Sequence, residues 1–596
     1  SLKRAPKQAA VIAALQQYNA ISLEQCRELG FSSEVIRQLK NKQLIGECEL
    51  AAPTPSLEEQ LPLLPEQQAA LNAISPGEFH SYLLDGATGS GKTEVYLQAI
   101  NKVFKQNPTA QALVLVPEIG LTPQMLTRFT RRFGNQIVSL HSGLNDRERL
   151  DGWLRAKSGE ARIIIGTRSA IFTPQANLGI IIVDEEHDGS FKQQDGLRYN
   201  ARDLAIVRGK NLGIPVLLGS ATPALETLNN AEQGRFRHLR LTRSAVSTQQ
   251  AAVKVIDLNT EQQQQGLTET SLKAIEQHIQ AGNQVLVFLN RRGFAPTVQC
   301  ADCGWIADCP NCDARLTLHH YPAHLHCHHC DFQRAHLKHC AACNSTRLQP
   351  LGLGTERSEQ QLQQYFSHTP IIRIDRDSTR GKTALSTLLK PVHDGESCIL
   401  VGTQMLAKGH HFPNVTLVVV VDADSGLFSA DFRGAEHMGQ LLTQVSGRAG
   451  REHKPGEVLL QSRYPDHPYL QTLITRGYHH FAHMLLDERR LGLMPPYSYL
   501  VLIRADAPSP TQAQTFLHNA RKRAEAIRPD NSIEILGPLP ALMEKRGQRY
   551  RFQLQLKALT RGDLKAFVTQ LVPALEAISS HRSVRWSVDI DPQDMS

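Results

Sequence analysis

The chain has 596 residues, with 65 Lys plus Arg against 57 Asp plus Glu for a formal charge of +8, and is 41% hydrophobic and 20% charged. At roughly 100–200 residues per domain the length excludes one small domain, and the composition is that of ordinary soluble globular protein. Apolar runs such as Ile180–Val183 and Leu417–Val421 fall far short of the ~20 residues that a membrane helix needs, and the mild positive charge leans towards polyanions without naming one.

Residues 1–50 read as three short helical stretches, Pro6–Tyr18, Leu23–Leu29 and Ser33–Lys40, followed by the apolar turn Leu44-Ile45-Gly46, with Ser32 and Ser33 as N-cap signals. This order fits a winged-helix module, and fits a generic three-helix packing unit equally well. The proline-bearing segment 51–64 reads as a linker. Between 65 and 240, short β-branched runs at Leu113–Val116, Ile163–Ile165, Ile180–Val183 and Val216–Leu218 alternate with helical stretches, which predicts βαβ units in a parallel sheet. A second series occupies 241–466, at Val285–Leu289, Ile371–Ile374, Ile399–Val401, Leu417–Val421 and Val458–Leu460, and is interrupted at 297–350 by a cysteine cluster. From 467 to 596, strands at Tyr499–Arg504, Ile533–Leu536, Arg551–Leu556 and Val584–Ile590 with helices between them predict a small α+β domain. The fold class is therefore multidomain α/β with two parallel-sheet lobes.

Gly86-Ala87-Thr88-Gly89-Ser90-Gly91-Lys92-Thr93 follows the apolar Tyr82–Leu84 and opens a helical stretch, the context of a phosphate-binding loop. Gly86, Gly89 and Gly91 let backbone N–H groups close on phosphate oxygens, Lys92 reaches the β and γ phosphates of ATP, and Thr93 can ligate Mg²⁺. The apolar Ile180–Val183 runs into Asp184-Glu185-Glu186-His187, where Asp184 is placed to hold Mg²⁺ and Glu185 to orient or deprotonate water. In the second lobe Gln444-Val445-Ser446-Gly447-Arg448-Ala449-Gly450-Arg451 presents two arginines, read either as fingers for the transferring phosphoryl or as a basic surface helix.

In this order the motifs resemble superfamily 2 helicases, whose two RecA-like lobes bind ATP between them. Pro117–Gln124 is similar to motif Ia, Gly166–Ser169 to motif Ib, Gly219–Pro223 to motif III and Gly402–Gly409 to motif V. The resemblance implies nucleotide contacts at Gln444 and Gln67, with Gln68 as an alternative adenine reader, and DNA contacts at Thr122, Arg168 and Thr403.

Eight of the 11 cysteines form four Cys-x-x-Cys pairs, Cys300/Cys303, Cys309/Cys312, Cys327/Cys330 and Cys340/Cys343. In a chain without secretion signals these read as zinc ligands, enough for two closed tetrahedral Cys₄ sites of structural kind and two Zn²⁺. A nested arrangement puts Cys309, Cys312, Cys327 and Cys330 inside Cys300, Cys303, Cys340 and Cys343; the neighbouring histidines, including His324, His326 and His339, are competing ligands.

With this module and Asn290–Pro296 before it, the chain resembles the primosomal protein N′ family of bacterial replication-restart helicases. That resemblance implies an ATP-dependent 3′ to 5′ DNA helicase that recognises stalled or branched forks and starts primosome assembly. It also implies a cytoplasmic monomer that meets forked and single-stranded DNA, single-stranded DNA-binding protein, and primosome and helicase-loading proteins. The family opens with a domain that captures a 3′ end, and no segment here matches it, so a longer protein is expected. Gly189–Asp203 resembles the family's aromatic-rich loop, which assigns Phe191, Lys192 and Tyr199 to coupling DNA binding with hydrolysis, and reads otherwise as a packed surface loop; Lys545, Arg546, Arg549 and Arg551, with Tyr550 and Phe552 interleaved, are a candidate DNA-backbone patch or a solvated strand face. A DNA-stimulated remodelling ATPase and an RNA helicase are the competing readings.

Overall fold

The computed structural model describes residues 6–18, 29–46, 59–117, 123–242, 251–289, 297–351, 362–374, 384–403, 414–450 and 454–595, with gaps of one to three residues inside some of these spans, plus isolated positions such as Leu406 and Phe412. The helix expected at Leu23–Leu29, most of the 51–64 linker and the segment Asn290–Pro296 fall largely outside them.

The first lobe is a seven-stranded sheet of β1 (Ser81–Gly86), β2 (Gln111–Leu115), β3 (Ile137–Leu140), β4 (Ile163–Gly166), β5 (Leu178–Asp184), β6 (Val216–Ser220) and β7 (Arg237–Leu241). Its order is β3-β4-β2-β5-β6-β1-β7, and every pairing is parallel. Strands covered on both faces need apolar side chains pointing both ways, which is why they read as continuous β-branched runs. On β2, Ala112 and Val114 enter one core while Leu113 and Leu115 enter the other. β5 and β1, which carry the two phosphate-site motifs, lie on either side of β6, so both motifs emerge at the same strand-end edge of the sheet.

The second lobe is a six-stranded parallel sheet in the spatial order Ile371–Ile374, Ile399–Gly402, Gln284–Phe288, Val415–Val420, Glu457–Ser462, Ala252–Asp257. The expected strands are all present within a residue or two. The helical segment Pro468–Leu491, kinked at Gly477 (φ 78, ψ 177), buries Leu470, Leu473, Phe481 and Leu485 in this lobe's core. Phe481 packs so closely on Gly439 that a Cβ there would lie 2.2 Å from the ring. The division at residue 467 thus cuts through a shared core, because the apolar face of that helix has its partner in lobe 2. The self-contained C-terminal core begins at Val501. It consists of a four-stranded antiparallel sheet, with Tyr499–Ala507, Ile533–Arg546, Arg549–Ala558 and Arg585–Ile590, covered by the helices Pro510–Ile527 and Arg561–Glu576.

The cysteine module leaves and re-enters lobe 2 through the antiparallel pair Thr297–Cys300 and Leu348–Leu351, and its small core combines Val298, Leu316, Leu318 and Leu325 with ligand cysteines. At the N-terminus the helices Pro6–Tyr18 and Ser33–Asn41 bury Val11 and Leu39. Ser32 stands at the N-cap with extended backbone, although its side chain makes no cap bond.

Candidate active site at the lobe interface

The phosphate loop follows β1 and runs into the helix Lys92–Gln106, with Gly89 and Gly91 at φ 84 and 82, where any larger residue would be strained. Lys92 Nζ donates to the carbonyls of Gly86 at 2.5 Å and Ala87 at 3.3 Å, holding its ammonium over the loop. Gln67 Nε2 donates to the Ser90 carbonyl at 2.8 Å, and its Oε1 accepts from Leu64 N at 2.8 Å. Gln68 instead faces solvent and bonds Asn72, so of the two glutamines Gln67 is the one anchored to the phosphate loop. Among the described residues the buried Ser90 Oγ has no hydrogen-bond partner.

Across the cleft, burial pushes the Asp184 carboxyl up to about 6, and the neighbouring Glu185 charge adds to that, while Lys92 and Tyr96 oppose it. Two adjacent carboxylates facing an ammonium, with an orphan hydroxyl beneath the loop, fit a nucleotide and a divalent cation chemically. Glu185 has φ 49, an uncommon conformation for a side-chain-bearing residue and one found at functional positions. Its Oε2 lies 3.7 Å from His187 Nδ1.

Lobe 2 completes this corner. Gln444, buried on the helix Gly434–Ser446, donates to Glu185 Oε2 at 3.4 Å and meets His187 Nε2 at 2.7 Å. His187 Nδ1 is 2.7 Å from Ser220 Oγ, which also accepts from the Thr222 N–H at 2.9 Å. The hydrogen-bond pattern assigns the His187 proton to Nδ1, leaving Nε2 to accept from Gln444. Gly447 comes so close to Thr88 that a Cβ on it would lie 3.4 Å from Thr88 Oγ1, which brings Arg448, half-buried in the following turn, beside the phosphate loop. Arg451 and Thr122 lie outside the described residues, and Thr403 is half-buried after the strand Ile399–Gly402.

Tyr96 escaped the sequence reading. It is fully buried on the phosphate-loop helix, and its hydroxyl donates to Asp184 Oδ1 at 2.9 Å. A Cβ on Gly219 would sit 1.6 Å from that hydroxyl, so the glycine of the motif III segment exists to admit the tyrosine. Its place one turn after Thr93 was the available signal. A hydrogen bond to a charged acceptor contributes about 1.5–3 kcal/mol. Tyr96→Phe, which keeps the ring, is therefore expected to raise about tenfold the Mg²⁺ concentration needed for half-maximal binding of a fluorescent nucleotide. An unchanged Mg²⁺ dependence would remove Tyr96 from this role.

The loop after His187 is placed otherwise than its resemblance implies. Phe191 is 1% exposed, within the lobe-1 core, so it offers no face on which a base can stack. Lys192 is 2% exposed and pairs with Asp589 at 2.9 Å while donating to the Ile590 carbonyl at 2.6 Å; its charge is neutralised by the C-terminal domain rather than offered to phosphate. Arg168 donates to the carbonyls of Ser190 and Lys192, both at 3.0 Å, fixing the same loop. Tyr199 is half-buried against the same core and lies edge-on to the exposed Phe172 at 4.8 Å. Lys545 and Arg546 end a strand whose tip rests on the cysteine module: Lys545 Nζ donates to the Pro310 carbonyl at 3.1 Å and its backbone N–H to Asp313 Oδ2 at 2.5 Å.

The cysteines gather as Cys300, Cys303, Cys340, Cys343 and as Cys309, Cys312, Cys327, Cys330, each set with its four sulfurs within 4.8 Å of one another. This is the nested arrangement, and among the described residues no histidine joins either group. Four thiolates converging without a fifth ligand suit structural zinc.

The fold and this cleft define a two-lobed, P-loop helicase of superfamily 2. The model of the DEAD/DEAH box helicase matches residues 64–231 and that of the helicase conserved C-terminal domain residues 344–453. The PriA DNA helicase Cys-rich region domain matches 309–334, and the primosomal protein N C-terminal domain 490–593. The chain is 46% identical over 608 aligned positions to replication restart protein PriA of Haemophilus influenzae, covering 100% of this chain and 82% of that protein. It is 39% identical over 588 positions to replication restart protein PriA of Bacillus subtilis, covering 96% and 72%. Among solved structures, RecG bound to a three-way DNA junction aligns with TM-score 0.43 at 15% identity, over 77% of this chain and 49% of that one. S. cerevisiae Dbp5 bound to RNA and ADP BeF3 aligns with TM-score 0.43 at 14% identity, over 78% of this chain and 98% of that one. The chain belongs to the replication restart protein PriA family, and is an ATP-hydrolysing DNA helicase acting in replication restart. Among the described residues no helix is long and apolar enough to cross a membrane.

Proposed function

We propose that ATP binds in the cleft between the lobes and that its hydrolysis drives 3′ to 5′ movement along DNA at stalled or branched forks. The observation that carries this reading is Gln444 of lobe 2 resting on Glu185 and His187 of lobe 1, which makes the hydrolytic corner depend on the relative position of the two lobes. Gln67 positions the phosphate loop beside the adenine, the backbone around Gly86, Gly89 and Gly91 cradles the phosphates, and Lys92 neutralises the terminal ones. Thr93 and Asp184 hold Mg²⁺, which screens phosphate charge when bound. Glu185 takes the proton of the attacking water, with His187 and Gln444 fixing its carboxylate. Arg448 and Arg451 stabilise charge on the transferring phosphoryl.

Closure of the lobes is then transmitted through Ser220 and Thr222 and through the loop that Arg168 and Lys192 hold, and Thr122 and Thr403 contribute DNA contacts. Two Zn²⁺ stabilise the module that faces the C-terminal domain. The partners are forked and single-stranded DNA, single-stranded DNA-binding protein, and primosome and helicase-loading proteins, in the bacterial cytoplasm. The test is ATP-dependent displacement of a lagging-strand arm from a synthetic DNA fork by wild-type and Lys92→Ala chains. Displacement by the wild type alone is expected; DNA-stimulated hydrolysis without displacement would instead assign a remodelling role.

A further inference from the structure

The strands Ile533–Arg546 and Arg549–Ala558 are joined by a two-residue turn, Gly547-Gln548, with both φ values positive at 56 and 60. Such a turn matches the twist of a hairpin. Glycine adopts it freely, but glutamine does so only where its surroundings hold it.

What surrounds it is the inner cysteine site. The Gly547 N–H donates to Cys312 Sγ at 3.0 Å. The Gln548 N–H donates to the Asn311 carbonyl at 2.7 Å, and its Nε2 to Asn311 Oδ1 at 2.9 Å. The Asp313 N–H returns a bond to the Lys545 carbonyl at 2.9 Å. A Cβ on Gly547 would lie 3.8 Å from the Cβ of Cys330, so the turn lies across two ligands of the same set. Among the described residues, the outer set of Cys300, Cys303, Cys340 and Cys343 receives no hydrogen bond from outside the module, and two of its members, Cys303 and Cys343, are exposed.

We propose that residues 545–548 of the C-terminal domain form the lid of the inner zinc site, making that ion a joint between the cysteine module and the C-terminal sheet. The proposal rests on the structural-zinc reading of the two clusters. Four thiolates around a divalent ion carry excess negative charge, and an N–H donated to one sulfur stabilises it while the turn keeps water from the ligands. The lid and the site are therefore linked: zinc orders the 310–313 loop that receives the turn, and the turn slows loss of zinc.

The experiment uses the full chain loaded with zinc, and follows release of the metal to a chromophoric chelator. Wild type is expected to give two equivalents in two phases, the fast one from the outer set and the slow one from the inner. Asp313→Ala with Gln548→Ala removes two exposed side chains of the joint. It is expected to accelerate the slow phase about tenfold or more, the scale at which outer hydrogen-bond partners act on bound metals, and to leave the fast phase unchanged. A slow phase of wild-type rate would overturn the lid. Absence of bound zinc would instead remove the structural-zinc reading beneath it. Should the double variant fold poorly, hydrogen exchange in the wild-type chain decides: chelation stopped after the fast phase must leave the Gly547 and Gln548 amides protected, and chelation carried through the slow phase must deprotect them but not the amides of Arg585–Ile590; Gly547 and Gln548 amides still protected after the slow phase would refute the joint.

Discussion

Glu185→Gln is expected to bind ATP with wild-type affinity and to lose DNA-stimulated turnover by about 10²–10⁴-fold, the usual contribution of a positioned general base. The substitution keeps the shape of the side chain and its contact to Gln444 but removes the acceptor for a proton. The neighbouring Glu186 supplies the control, because two identical side chains in sequence have different duties here. Glu186 is 1% exposed. Its Oε1 accepts from the Ala224 N–H at 2.8 Å, and its Oε2 from Thr227 Oγ1 at 2.7 Å and Arg202 Nη1 at 3.2 Å. It ties β5 to the helix Leu225–Glu232 and faces away from the phosphate loop. Glu186→Gln is thus expected to lower the melting temperature while preserving measurable turnover in the folded fraction. Single-turnover hydrolysis beside fluorescent-nucleotide binding separates the two cases, and turnover retained by Glu185→Gln would sink its assignment.

Much of this site was legible because backbone requirements leave marks on sequence. A loop that approaches phosphates needs glycine at Gly89 and Gly91, a doubly covered strand needs the run Ile180–Val183, and zinc needs paired cysteines, so all three were readable without coordinates. What sequence could not convey was the partner of each polar side chain. Phe191, Lys192 and Lys545 carry the residue types of a nucleic-acid surface, yet the first fills a core and the other two join domains, through Asp589 and through Pro310 and Asp313. Those partners lie hundreds of residues away in the chain, and a charge pattern read locally does not distinguish a phosphate from a distant carboxylate. Tyr96 was hidden for a related reason: on a helix it reads as another apolar core residue, and only the approach of Asp184 reveals its hydroxyl as functional.

Distant pairing also sets the largest expected loss of stability. Arg433→Ala is expected to destabilise the chain by about 3–5 kcal/mol, the effect of breaking a buried ion pair and leaving a charge behind. Arg433 is 4% exposed and pairs with Glu226 of lobe 1 at 2.6 Å. It also lies 3.8 Å from Glu436, which Arg489 approaches at 2.7 Å and which accepts from the Leu225 N–H at 3.0 Å. Its Nε donates to the Pro592 carbonyl at 3.3 Å, so one guanidinium holds both lobes and the C-terminal strand end. Burial alone would raise the Glu226 carboxyl, but Arg433, Arg489 and Arg202 outweigh it and hold Glu226 at about 2. A carboxylate lowered in this way from an unfolded value near ~4.3 contributes stability that is fully present above that pH and fades as pH falls towards 2. Because the unfolded chains titrate alike, the difference between wild type and Arg433→Ala should stay constant while Glu226 is ionised in both folded forms, and contract as pH falls from its higher folded value in the variant towards about 2. Urea midpoints across that range measure it, and a difference that grew on acidification would mean that Glu226 is not the charge Arg433 compensates. Because the same residue joins lobe 1 to the helix bearing Gln444, the folded fraction of the variant should also lose hydrolysis, with nucleotide affinity reduced less than turnover.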